Sequence, residues 1–166
     1  SRIFGMIAAQ MGDTRYRGKI LWVLLTARPD LLPIDLKRQG RAEVHIPLFY
    51  PREEDEMRQM FVVLAKKVNA SLKAENVGDI PHLGNLSGAD VEGIVGRAWR
   101  KTLLKGEDEI SRETLDEVLA GFMPSTQGLE REMQEVAGII ECTDKEFLVP
   151  DAREKVEGPG GREKLQ

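Results

Sequence analysis

Cysteine is almost missing from this chain of 166 residues. Cys142 stands alone, which excludes an internal disulfide and any zinc cluster built on thiolates. Histidine is nearly as scarce: His45 and His82 lie far apart, without metal-ligand spacing, and read as strand or surface positions. Aromatic residues make up 5% of the chain, so any core is mainly aliphatic. The six-residue run Ile20–Leu25 falls far short of the roughly 18 apolar residues that a membrane-spanning helix needs. The N-terminus lacks the charged-then-apolar layout of a secretory signal, and the chain reads as cytoplasmic.

What is present is a globular composition, 41% hydrophobic and 31% charged, sufficient for one ordinary domain or two small ones. The net charge of −4 is unevenly spread. Residues 1–50 carry eight Lys and Arg against four acids, leaving sixteen against twenty-four in the remainder. A basic segment attracts anions, but this one has no interleaved aromatics for stacking bases, which argues against nucleic acid and favours a discrete phosphate.

Along the chain, Ile3, Met6, Ile7 and Met11 share one face of a helix over residues 2–11, ended by Gly12-Asp13. The run at 20–26 predicts a strand buried on both faces, and the alternation at 42–47 predicts a second strand. Pro29 and Pro33 leave room for a helical turn at 34–38 between them. Two strands make no stable sheet alone, so the rest of the sheet is expected outside this chain.

From Pro51 the periodicity becomes helical. Residues 52–73 predict an amphipathic helix with an acidic first turn and a buried stripe of Met57, Met60, Phe61, Leu64, Val68 and Leu72. Pro81–Leu86 reads as a short helix. Ser87 caps the next, with Asp90 completing a capping box, Val91, Ile94, Val95, Ala98 and Leu103 facing inward, and Gly106 as its stop. Ser111 caps a third, whose face is Leu115, Val118, Leu119 and Phe122. A fourth is expected over Leu129–Cys142, with Leu129, Met133, Val136, Ala137 and Ile140 as its stripe and Cys142 a small buried hydrophobe. The glycine-rich tail from 151 to 166 is expected to be disordered. The fold class expected is mainly α with a small α/β remnant: two short strands, then four helices around one aliphatic core.

Several motifs in one order carry more. The apolar strand is followed by Thr26, Arg28, Pro29 and Asp30, then by a loop with Asp35, Arg38, Gly40 and Arg41, then by a strand, a proline, a helix and Ser87-Gly88-Ala89-Asp90. Over roughly residues 2–125 this order resembles the C-terminal part of an AAA-type ATPase module. The resemblance implies residues 1–50 as the end of the nucleotide-binding α/β subdomain, 51–125 as the helical lid, and 126–150 as a helical extension. It makes Thr26 the candidate sensor at the strand end, although Ala27 stands where the family usually has a water-orienting Asn.

Arg38 and Arg41 match the loop that holds the family's arginine fingers, which reach the ATP site of the neighbouring subunit in a ring. Gly88 and Ala89 match the start of the lid helix beside the nucleotide's adenine and sugar. A guanidinium at the γ-phosphate stabilises the transition state, by about 10³–10⁵ in rate in related chemistry, and its planar fork suits phosphate oxygens better than an ammonium does.

No G-x-x-x-x-G-K-[ST] phosphate loop occurs, nor an apolar strand ending in Asp-Glu for Mg²⁺. ATP with Mg²⁺ would therefore be held largely by residues outside this chain, which is expected to be a fragment, inactive alone, of a motor that remodels a macromolecular substrate, a protein being one that would serve. A helical interaction or adaptor domain with no nucleotide role is the alternative. In that case Arg38 and Arg41 solvate a loop or pair with Asp35 and Glu43.

Overall fold

Ser87 does what its sequence context asks of it. Its side chain accepts from the Asp90 N–H while the Asp90 carboxylate accepts from the Ser87 N–H, closing a capping box at the start of α4 (Gly88–Leu104). Ser111 likewise caps a later helix, its hydroxyl accepting from the Thr114 N–H, in a computed structural model that describes residues 2–81, 83–124, 128–158 and 161. These residues divide into two compact units, one formed by 50–126 and the other by 1–49 with 127–166.

The 50–126 unit contains α4, the earlier α3 (Glu54–Lys67) and the later α5 (Arg112–Ala120). α3 begins with Glu54, Asp55 and Glu56 and ends with Lys66 and Lys67, the charge order that its dipole favours. Met57, Phe61 and Ala65 recur every four residues and are fully buried. They meet Val91, Ile94, Val95 and Ala98 of α4 and Leu115, Val118 and Leu119 of α5 in one aliphatic core. The intervening loop closes that core from the side. Ile110 N–H donates to Ser71 O at 2.9 Å and Asn76 Nδ2 to Ile110 O at 2.9 Å, with Leu72, Val77 and Ile80 buried beneath.

Three expectations fail in this unit. α3 stops at Lys67 and not at 73, because Asn69 takes a left-handed φ of 56° and Ala70 N–H folds back to Ala65 O. Leu72 is buried by the loop. No helix forms between Pro81 and Leu86, where the described residues make turns around Gly84; His82 lies outside the described residues. Leu103 is half-exposed, and Thr102 takes the inward position in its place, one residue earlier on the helix. Gly106 does end the local structure, at a φ of +78° that a side chain resists.

In the other unit, α1 (Arg2–Met11) and α2 (Ile34–Lys37) pack around Ala8, Met11 and Leu36. Ile3 and Met6, expected on the same buried face, are exposed. The strands expected at 20–26 and 42–47 are extended but unpaired, and no strand occurs among the described residues. A strand is defined by its ladder, and neither segment pairs with another as one; His45 of the second exchanges hydrogen bonds with Thr143, without a continuing ladder. Only one side of the first is covered. Trp22 and Leu24 pack on the small core while Leu21, Val23 and Leu25 are 88%, 72% and 87% exposed.

The fourth expected helix, α6 (Gly128–Glu141), does not join the lid core. Its buried residue is Ile139, grouped with Cys142, Leu148 and Ala152 and flanked by Phe49, while Leu129 and Met133 of the expected stripe are exposed. The bundle of the 50–126 unit therefore has three helices. The tail expected to be disordered from 151 begins as α7 (Pro150–Glu157), with Pro150 at a favoured first-turn position and Ala152 fully buried. Residues 159, 160 and 162–166 of that tail lie outside the described residues. No helix among the described residues is long and apolar enough to cross a membrane.

Candidate functional site

The chemistry-bearing residues fall in both units. In the first, Thr26 ends the exposed extended run. Its hydroxyl accepts from the Arg28 N–H at 3.0 Å and so starts the turn at Pro29–Leu31. Arg28 clamps Asp30 with two donors, Nε to Oδ1 at 3.0 Å and Nη2 to Oδ2 at 2.7 Å. That clamp lowers the Asp30 pKa below its usual 3.8 and raises that of Arg28. Arg28 is thereby engaged locally, and Thr26 is occupied as a turn former.

The arginine loop follows α2. The Arg41 N–H donates to Arg38 O at 3.2 Å, which folds the chain into a turn whose apex, Gly40, has a φ of +80°. The Glu43 carboxylate accepts from the Gly40 N–H at 2.7 Å and so helps to hold the turn. Arg38 projects outward with 67% of its side chain exposed, and its nearest carboxylate, Asp35, is 3.6 Å away and 61% exposed. Arg41 is half-buried. Its Nη1 donates to the backbone oxygen of Asp35, and its guanidinium lies over Gly12, where a Cβ would stand only 3.2 Å from Nε. Arg41 therefore meets a carbonyl and, among the described residues, no carboxylate within ion-pair reach. Arg17 adds a third guanidinium, with Nη2 3.3 Å from where a Cβ on Gly40 would be. The structure thus brings Arg38 and Arg41 together on one turn, as expected, and adds Arg17.

In the 50–126 unit the capping box uses the N–H of Asp90, and Val91 N–H bonds to Ser87 O. The N–H groups of Gly88 and Ala89 are the first two of the helix and have no acceptor within it. A Cβ on Gly88 would meet nothing within 4 Å, so no packing demand explains glycine there. Ala89 opens a shallow groove of about 550 Å³ that continues along α4 over Gly93 and Gly96 to Arg97 and Arg100. Arg97 lies over the Phe122 ring at 5.8 Å, and neither arginine has a carboxylate within ion-pair reach among the described residues. Its lining thus combines small residues with two guanidinia and the Glu92 carboxylate, which pairs with Lys67 at 2.7 Å. The full donor set for a Mg²⁺–triphosphate is not here, since no phosphate loop occurs in the sequence.

Residues that sequence patterning missed hold the arginine loop from below. Lys37 Nζ pairs with Glu141 Oε1 at 2.6 Å across 104 residues of chain. His45 presents its two ring nitrogens to Glu141 O and Ala42 O, each at 2.8 Å. Its spacing to other ligands carried no signal, because its partners are backbone oxygens and not metal-binding side chains.

Comparison with known proteins fits these features. The chain is 26% identical over 149 residues to a vesicle-fusing ATPase of Dictyostelium discoideum, a match covering 87% of this chain and 20% of that protein. The chain thus spans about a fifth of the length of the curated relative it matches. No family model matches the chain, and no solved structure does.

Proposed function

We propose that the chain is the C-terminal part of an AAA-type ATPase module: the end of its α/β nucleotide-binding subdomain, the helical lid, and a helical extension. The parent protein forms a homo-oligomeric ring and couples ATP binding and hydrolysis to remodelling of a macromolecular substrate. Arg38 and Arg41 act in trans as arginine fingers, and Gly88 and Ala89 line the lid's edge of the nucleotide site. The observation that carries this is the turn Arg38–Gly40–Arg41. It carries two guanidinia: Arg41 is held by the Asp35 backbone oxygen, Arg38 makes a loose, exposed pair with the Asp35 carboxylate at 3.6 Å, and Glu43 accepts from the Gly40 N–H. An exposed pair of that kind stabilises little and leaves Arg38 available to a phosphate. Similarity to an ATPase over most of the chain supports the same reading.

Thr26 has a smaller part. Its hydroxyl accepts from the Arg28 N–H and keeps its own O–H to donate, so it is the sensor candidate, with Ala27 beside it in place of a water-orienting amide. The segments at 20–25 and 43–48 lack a strand partner and carry exposed apolar residues, Leu21, Val23 and Leu25 in one and Val44, Ile46 and Leu48 in the other, the form expected of strands whose sheet is completed by the rest of the module.

Arg41→Ala in the full-length ATPase tests the proposal. Turnover is expected to fall at least about a hundredfold, at the low end for lost transition-state charge stabilisation, with the subunit's own ATP affinity nearly unchanged. Mixed with subunits lacking the phosphate-loop lysine, Arg41→Ala subunits recover part of the activity, since one supplies the pocket and the other the arginine. Wild-type turnover by the assembled Arg41→Ala protein would sink the finger assignment.

A further inference from the structure

We infer that Glu141, with Thr143, is a positioning residue for the arginine loop: the C-terminal end of α6 clamps both roots of the turn that carries Arg38 and Arg41. The inference rests on the finger role proposed above, but the clamp itself is a matter of geometry within one compact unit.

The loop is rooted at Lys37 on one side and His45 on the other; Glu141 contacts both roots, and Thr143 adds a second hold at His45. At the first root, Glu141 Oε1 accepts from Lys37 Nζ at 2.6 Å, and Lys37 also reaches Pro29 O at 3.4 Å. The two side chains are only 17% and 24% exposed, so water screens this pair far less than an exposed one. At the second root, His45 N–H donates to Thr143 Oγ1 at 3.0 Å, and Thr143 N–H returns to His45 O at 3.4 Å. The His45 ring bridges Glu141 O, at the end of α6, and Ala42 O, within the loop, at 2.8 Å each.

Between the roots the turn is closed by its own short-range bonds, Arg41 N–H to Arg38 O, Ala42 N–H to Leu36 O, Glu43 N–H to Arg41 O and Gly40 N–H to the Glu43 carboxylate, which fix its shape but not its place on the rest of the unit. A guanidinium that must meet phosphate oxygens across a subunit boundary needs its backbone held to a fraction of an ångström. The roots are where that precision enters. Both are controlled by a segment about a hundred residues later in sequence, so the C-terminal extension acts on the arginine fingers without touching nucleotide.

Two measurements test this together. In the present chain, amide hydrogen exchange of residues 38–46 is compared between wild type, Glu141→Gln and Thr143→Val, with residues 57–119 of the other unit as a folding control. In the full-length ATPase, kcat and KM for ATP are measured for the same variants, for Arg41→Ala, and for the charge swap Lys37→Glu with Glu141→Lys.

Glu141→Gln is expected to speed exchange over 38–46 on the order of tenfold, as loss of a charge-assisted bond would, with 57–119 unchanged. It should lower kcat several-fold at constant KM, and the charge swap should restore much of the loss. Unaltered exchange in both variants overturns the clamp. Faster exchange with unaltered kcat, while Arg41→Ala still abolishes turnover, leaves the fingers standing and overturns the positioning role. Normal turnover in Arg41→Ala removes the finger reading, and the positioning role falls with it; the exchange data then describe only a fold contact.

Discussion

At the scale of single residues, the arginine loop depends on which groups are already occupied. Glu43 and Asp35 are the carboxylates nearest the guanidinia in sequence, yet one holds the Gly40 N–H and the other offers Arg41 its backbone oxygen. Arg28, though exposed, is satisfied by Asp30 in a two-donor clamp. Three arginines in one short segment thus differ in availability, a difference set by side-chain geometry and not by type. The core holds a different kind of residue-scale feature. Thr102 is fully buried on α4, and its hydroxyl has no hydrogen-bond partner among the described residues. An unpaired buried hydroxyl loses its water without compensation, so Thr102→Val should leave stability unchanged or raise it by up to about 1 kcal/mol. A thermal or urea melt measures this, and a loss of more than about 1 kcal/mol would mean that the hydroxyl is bonded.

At the scale of elements, the helices whose start and stop signals are local came out where patterning put them. Ser87 with Asp90, Ser111 with Thr114, and Gly106 act through bonds that span at most a few residues. Leu119 shows the same on its face: it is 3% exposed beside Leu115 and Val118 in the core of the 50–126 unit. Leu119→Ala should cost about 2–5 kcal/mol in a denaturant melt, as truncating a buried leucine does, and a loss below roughly half a kcal/mol would place its side chain elsewhere. α6 behaves otherwise. Periodicity marked Leu129, Met133, Val136, Ala137 and Ile140, but burial picked Ile139 and left Leu129 and Met133 exposed. A short amphipathic helix offers neighbouring stripes of similar apolarity, and the partner surface selects among them.

At the scale of the whole molecule, two compact units each carry part of the chemistry: the arginine turn in one, the Gly88–Ala89 helix start and its groove in the other. Neither carries a phosphate loop. Calorimetric titration of the isolated chain with ATP and Mg²⁺ should therefore give no binding tighter than about millimolar, the level of a few unassisted contacts, and no hydrolysis. Micromolar affinity would mean that α4 and its arginines form a self-sufficient site, contrary to the module proposed here.

The sequence by itself determined the helices of the lid, their caps and most of their buried faces, together with the turn that presents Arg38 and Arg41. These follow from interactions a few residues apart, which composition and spacing encode directly. Only the tertiary structure decided that residues 20–26 and 42–47 remain unpaired, since strand identity depends on a neighbour and not on the segment itself. The tertiary structure also decided that α6 leaves the lid core and that Glu141 and Thr143 grip the roots of the arginine loop. Contacts across some hundred residues leave no periodic trace in a single sequence, because a lysine, a histidine and a glutamate so far apart pair only once the chain has folded.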